Sequence, residues 1–241
     1  FTPLMNYAGA ENKFINNNAP EKFDEEGNAY YLSYPPFTYI FPYVIFKFFH
    51  TEPNVLGIRI INLLWQFIGA VFLFNLVLLL FKLSGKEKKN SMFAAFVAVS
   101  FFLFNPASLF FQQNLWMSDV VVIPFFIVAS WWWLKMIDEK KLSSPKHLFV
   151  FFLLVFLFNY TEYLGAVWSF LLSVFCFVRS FKNKKFLFPL FVLILATCFA
   201  MVLMLLQYSS VWGVNEFFEM AKNRYSYRSG YETGNENGIV L

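Results

Sequence analysis

The chain has 241 residues, 59% of them hydrophobic and only 14% charged, and 36 are phenylalanine. That is far more apolar material than the core of a soluble domain of this length needs, and it marks a membrane protein. The formal charge of +4 comes from segregated basic stretches and calls for no nucleic-acid partner, while Cys176 and Cys198, both inside apolar runs without nearby histidines, exclude a disulfide framework and a zinc site and read as small buried hydrophobes.

The first residue is Phe1, no basic segment leads into an apolar leader, and the closing "NENGIVL" completes no recognisable element. A longer parent chain is therefore expected, with a helix before this stretch and a further region after it. Residues 1–35 are polar and carry Glu11, Asp24, Glu25 and Glu26. The stretch "YYLSYPPFTYIFPY" follows. Tyr34 is held extended by the proline after it, Pro35 and Pro36 suit the first turn of a helix, and Pro42 is expected to disturb that helix. A short aromatic helix results within residues 36–50, with Tyr39, Tyr43, Lys47 and His50 as polar tips; it belongs at the membrane interface, the alternative being a kinked spanning helix.

Apolar windows then run from Leu56 to Leu83, Met92 to Phe104, Val120 to Met136, Leu148 to Phe158, Leu164 to Val178 and Leu187 to Leu206. Several fall short of the roughly 20 residues a spanning helix needs, so tilt or extension into aromatic flanks is required. The connections "KLSGKEKK", "DEKKLSSPKH" and "RSFKNKK" are Lys-rich and are expected on the cytoplasmic side. Helix alternation then puts the N-terminal segment, the loop "NPASLFFQQNLWMSD", the "NYTEY" break and residues 208–241 on the opposite side, together with most of the acids. The expected fold is all-α: one membrane domain, a polytopic transmembrane helix bundle of about six spanning or partly spanning helices over residues 56–207, with the interfacial helix and extracytoplasmic loops.

Several residues on that outer side have two readings. Asp119 follows Ser118 at the mouth of a helix, where it either caps the helix or orients a bound group. Glu162 in "FNYTEYLG" lies where two short apolar runs meet, at the wet interface or in a cavity. Arg59 either snorkels to the interface or faces a phosphate. Arg224 and Arg228 share a helical face at i, i+4 spacing, with planar forks that match phosphate oxygens, or are charges in water beside Lys222. Trp116 and Trp212 on outer segments suit carbohydrate stacking, whereas Trp131, Trp132 and Trp133 read as an interfacial belt.

The acid-bearing outer segment, "SYPPFTYIFPYVIFKFFHTEPNVLGIRIINLL", "FNPASLF" and "MSDVVVIPFFIVASWWWLKM" together resemble the GT-C glycosyltransferases, closest to the branch with protein mannosyltransferases, lipid A aminoarabinose transferases and Rgt-like proteins. The likeness covers about residues 1–210. It implies transfer of one sugar, with inversion, from a polyprenyl-phosphate donor to a lipid, glycan or protein acceptor on the outer side of a bacterial inner membrane, or in the lumen of the endoplasmic reticulum. It also implies a carboxylate general base in the first outer loop and cations on the departing lipid phosphate. On that resemblance Glu11 is the expected base, with Asp24, Glu25 and Glu26 as alternatives. The family more often shows Asp, frequently as an Asp-Glu pair, where this chain has Glu11 followed by Asn12. Tyr34, in the Pro-Pro motif, and Arg59, Asp119, Glu162, Arg224 and Arg228 are expected to bind substrate or lipid phosphate. No metal or other cofactor is assigned, and use of a divalent ion stays open. The competing readings are a transporter or flippase for a lipid-linked solute, and an inactive accessory homologue.

Overall fold

The computed structural model describes residues 35–85, 88–106, 109, 118–215, 217–219, 222 and 226. Among these residues every regular element is helical: α1 (Phe37–Phe48), α2 (Val55–Leu83), α3 (Lys88–Phe104), α4 (Ser118–Asp138), α5 (Pro145–Asn159), α6 (Tyr163–Ser180), a single 3-10 turn (Lys184–Phe186) and α7 (Leu187–Trp212). Among the described residues four stretches are long and apolar enough to cross a membrane, Val55–Leu83, Val120–Asp138, Tyr163–Ser180 and Lys184–Ser210. The 17 residues of α3 and the 15 of α5 reach only about 25 and 22 Å, short of a hydrocarbon layer of about 30 Å. α7 continues as helix past Gln207, where the apolar window ends, to Trp212.

The described residues fall in two compact units, one within Tyr34–Met201 and the other holding those from Val202 onward. In the second, Tyr208 and Phe217 stack at 6.1 Å between centroids.

In the first unit α2 and α4 run side by side in the same direction. Near their starts the Trp65 indole N–H donates to the Val121 carbonyl at 2.9 Å; midway Phe72 meets Trp131 edge-on; near their ends Lys82 pairs with Asp138. α3 returns the chain between them, with Phe96 against Phe74. α5 runs back along α4, so that Phe158 near its end packs with Val121, Val122 and Phe125 near the start of α4. The core at the other end gathers Trp133 and Met136 of α4, Phe151 and Val155 of α5, Cys176 of α6, and Leu193 and Ala196 of α7.

Pro35 and Pro36 are fully buried ahead of α1, and the Pro36 carbonyl accepts its first helical bond, from the Ile40 N–H at 3.0 Å. Contrary to expectation, α1 runs on through Pro42. The proline forfeits only the bond its missing N–H would give to the Thr38 carbonyl, and the shared burial of Thr38, Pro42 and Phe46 holds that face in place. On the opposite face Tyr43, Val44, Lys47 and Phe48 are exposed, as is His50 just beyond the helix, and the Lys47 ammonium lies 5.7 Å from the Tyr43 ring centre. For Tyr39 only the backbone is described.

Two sequence expectations are corrected. The reading of Trp131, Trp132 and Trp133 as an interfacial belt fails at Trp133, which is buried. Successive helical residues point about 100° apart, and α4 has neighbours on several sides: Trp131 meets Phe72 of α2, Trp132 donates to the His147 carbonyl at 3.1 Å, and Trp133 is buried against Phe151 and Phe186. Of the two cysteines only Cys176 is buried; Cys198 is exposed, on an apolar outer face of α7 that suits lipid as well as a core does.

Candidate functional site

The end of the first unit that carries α1 brings together the starts of α2, α4 and α6 with the end of α5. Its centre is the turn between α5 and α6. The Phe37 N–H, first in α1, donates to the Tyr160 carbonyl at 3.2 Å, and the Phe37 ring meets Phe125 of α4 at 5.6 Å. One turn on, Phe41 lies against Trp65, which in turn lies edge-on to Phe125 at 4.9 Å. Pro124 leaves the Val120 carbonyl without its helical donor, and the Trp65 bond goes to the next carbonyl, that of Val121. α1 is thus anchored at its first turns to α2, α4 and the α5–α6 turn, while its far end approaches the start of α2, where Phe46 covers Gly57.

Polar side chains unusual in an apolar bundle collect here. Thr38, Asn62, Asn159, Thr161 and Ser169 are almost completely buried, with Gln66 nearly so. The Asn159 amide donates to the Val155 carbonyl at 2.7 Å and to the Ser169 hydroxyl at 3.1 Å, joining α5 to α6. This join depends on Gly165. A Cβ there would lie 2.7 Å from the carbonyl carbon and oxygen of Phe158 and from the Asn159 nitrogen. The Thr161 hydroxyl bonds back to the Leu157 carbonyl at 2.7 Å. Sequence reasoning passed over these residues because Asn, Ser and Thr within apolar runs carry no motif; the i, i+4 pairing of Asn62 with Gln66 on one helical face was the available signal.

Of the site residues expected from sequence, Glu162 and Arg59 are described in full. Glu162 is extended, with φ −161° and ψ 156°, and occupies the position before α6 without capping it through its side chain. It is half-buried, and its Oε2 is shielded from the surface. A carboxyl group in that place can accept a hydrogen bond from a hydroxyl donor. Arg59, early in α2, is exposed and has no ion-pair partner among the described residues. Asn54 starts that helix, its side chain accepting the Gly57 N–H at 2.7 Å. Asp119 lies in the first turn of α4, which opens at Ser118; only its backbone is described. No ion pair joins Glu162 to Arg59, although both belong to the same end. Glu11, Asp24, Glu25, Glu26, Tyr34, Arg224 and Arg228 lie outside the described residues, as does Trp116. Among the described residues no three His, Cys, Asp or Glu side chains converge as metal ligands.

The opposite end is cationic. Glu139, just after α4, takes the Lys141 ammonium at 2.8 Å and lies 3.8 Å from Lys135 and 3.6 Å from the His147 ring. The hydrogen bond from Lys141 first, then the surrounding positive charges, hold its carboxyl below the usual glutamate value. His147 stacks on Trp132, and its Nδ1 lies 3.0 Å from the Ser144 hydroxyl. Both acids of this turn, Asp138 and Glu139, are therefore engaged by lysines.

No protein-family model matches the chain, and neither a characterised protein nor a solved structure does so.

Proposed function

We propose that this chain is the membrane-embedded part of a glycosyltransferase of GT-C type, moving a sugar from a polyprenyl-phosphate donor to an acceptor at the end of the bundle that carries α1. The observation that carries the proposal is the junction of α1: a short aromatic helix opened by two buried prolines, seated on the start of α4 and the α5–α6 turn, opposite the cationic end. Under the positive-inside rule the cationic end faces the cytoplasm and the α1 end faces outward. Tyr43, Lys47 and Phe48 on the exposed face of α1 suit a helix lying in the interface.

In this reaction a carboxylate removes the proton from the acceptor hydroxyl as its oxygen attacks the anomeric carbon. The bond to the lipid phosphate breaks on the opposite face, giving inversion and a phosphate whose added charge needs cations. Glu11 is assigned the base. Arg59, Arg224 and Arg228 are assigned to the phosphate, and Glu162, half-buried at the head of α6, to the acceptor or sugar hydroxyls.

Transfer of labelled sugar from a panel of polyprenyl-phosphate donors is measured in membranes containing the full-length protein, wild type against Glu11→Gln. Transfer by the wild type, abolished in a folded Glu11→Gln protein, is the expected result. Equal transfer by both removes Glu11 and shifts the base to Asp24, Glu25 or Glu26. No transfer from any donor refutes the enzymatic proposal in favour of a transporter or an accessory subunit.

A further inference from the structure

The connection between α6 and α7 places Arg179, Lys182, Lys184 and Lys185 within seven residues, with no acid among them, and all four are exposed. Its backbone is tightly folded rather than loose. The N–H groups of Lys182 and Asn183 both donate to the Arg179 carbonyl, at 3.1 and 3.0 Å, the Asn183 side chain accepts the Lys185 N–H at 3.1 Å, and Phe186 returns an N–H to the Asn183 carbonyl. Phe186 then packs against both Trp133 and Phe175, which fixes the turn to α4 and α6. The Arg179 guanidinium lies 5.5 Å from the centre of the Phe175 ring.

The neighbouring α4–α5 connection uses its two acids internally. Asp138 takes Lys82, and Glu139 takes Lys141 with Lys135 and His147 beside it. Lys140, Lys146, Arg179, Lys182, Lys184 and Lys185 are left with no ion-pair partner among the described residues. Bulky apolar side chains flank the α6–α7 connection: Phe181 is 77% exposed, and Phe177, Leu187 and Phe188 are about half exposed. Cations level with protruding aromatic and aliphatic groups match the boundary between lipid phosphates and acyl chains, where rings enter the hydrocarbon and ammonium groups reach up to the headgroups.

We propose that this turn is a binding surface for anionic phospholipid headgroups, selecting them over zwitterionic ones through Arg179, Lys182, Lys184 and Lys185. Charge complementarity supplies the selection and the exposed Phe181 and Phe188 supply the seat. Fixed geometry lowers the ordering cost of gripping a phosphate compared with a loose basic tail. The proposal rests on residence in a bilayer and not on the chemistry assigned to the opposite end.

The test is native mass spectrometry of the purified full chain released from nanodiscs of equal phosphatidylglycerol and phosphatidylcholine, counting each lipid retained. The wild type is expected to keep phosphatidylglycerol preferentially. The quadruple variant Arg179→Gln, Lys182→Gln, Lys184→Gln, Lys185→Gln is expected to lower that preference at least about fivefold, since each basic residue near an anionic surface contributes a comparable factor. The charge-preserving exchange of Arg for Lys and of Lys for Arg at the same positions is expected to keep most of it. An unchanged ratio in the glutamine variant, or no preference in the wild type, overturns the proposal. Should the glutamine variant fail to fold, raising the sodium chloride concentration on the wild type decides instead, because a salt-insensitive preference is not electrostatic. Displacement of phosphatidylglycerol by inorganic phosphate but not by chloride at matched ionic strength would assign the surface to a soluble phosphate and overturn the lipid assignment.

Discussion

Replacing Gly165 with alanine puts the α5–α6 junction under direct strain. The added methyl would lie 2.7 Å from three backbone atoms of Phe158 and Asn159, about 0.7 Å inside ordinary contact distance. Backbone atoms cannot rotate aside as a flexible side chain does, so the helices must separate at that point. Separation stretches the 3.1 Å bond from Asn159 to Ser169, whose loss costs about 1 kcal/mol. Overpacking adds about 1–3 kcal/mol, and the better helix propensity of alanine returns up to about 1 kcal/mol. The net destabilisation is about 2 kcal/mol, or on the order of 5 °C in melting temperature. Thermal unfolding of the detergent-solubilised protein, followed by tryptophan fluorescence, reads it directly, because Trp168 lies edge-on to Phe158 at the junction. A Gly165→Ala protein that melts with the wild type would refute the close backbone approach.

Two smaller perturbations follow from the same structure. Asn54→Ala removes the side chain that accepts the Gly57 N–H and is expected to cost about 1 kcal/mol, seen as a melting temperature lower by a few degrees; Asn54→Asp should retain most of the difference, and an alanine variant as stable as wild type would show the cap to be idle. Glu139 is held below its ordinary value of 4.5, first by Lys141, so its contribution is present above that value and fades as pH falls below it. Glu139→Gln should therefore melt below wild type at neutral pH and converge with it in acid, whereas a constant gap across the titration would contradict the assigned cause.

The helices were readable in the sequence because apolar runs bounded by Lys-rich or broken segments leave few other solutions. The starts of α1 and α5 are written as prolines at Pro36 and Pro145, and each apolar window matches a helix to within a few residues except at the end of α7, which runs past Leu206 to Trp212. What one helix presents to the next was not readable. The run Trp131 to Trp133 has the composition of an interfacial belt, and only the presence of neighbours around α4 turns Trp133 into core and Trp132 into a donor for His147. Gly165 gives no local sign of its purpose, since the backbone that excludes a methyl there belongs to the preceding helix. Glu162 was legible as a charge between two apolar runs, but its extended backbone and its place at the head of α6 depend on the turn being held by Phe37 and Asn159.

The parallel pairing of α2 with α4 has a consequence for synthesis. Two of the contacts that fix its register, Trp65 with Val121 and Lys82 with Asp138, join residues 56 apart in the chain. At about 5–20 residues per second of translation, each site on α2 waits roughly 3–11 s for its counterpart to be made. Throughout that wait Asn62 and Gln66, both shielded in the finished protein, have no α4 beside them. An emerging α2 in a bilayer must keep these amides against α1, α3 or the insertion machinery, and the interval before α4 arrives is when a nascent chain of this kind is most open to capture by a wrong neighbour or a membrane protease.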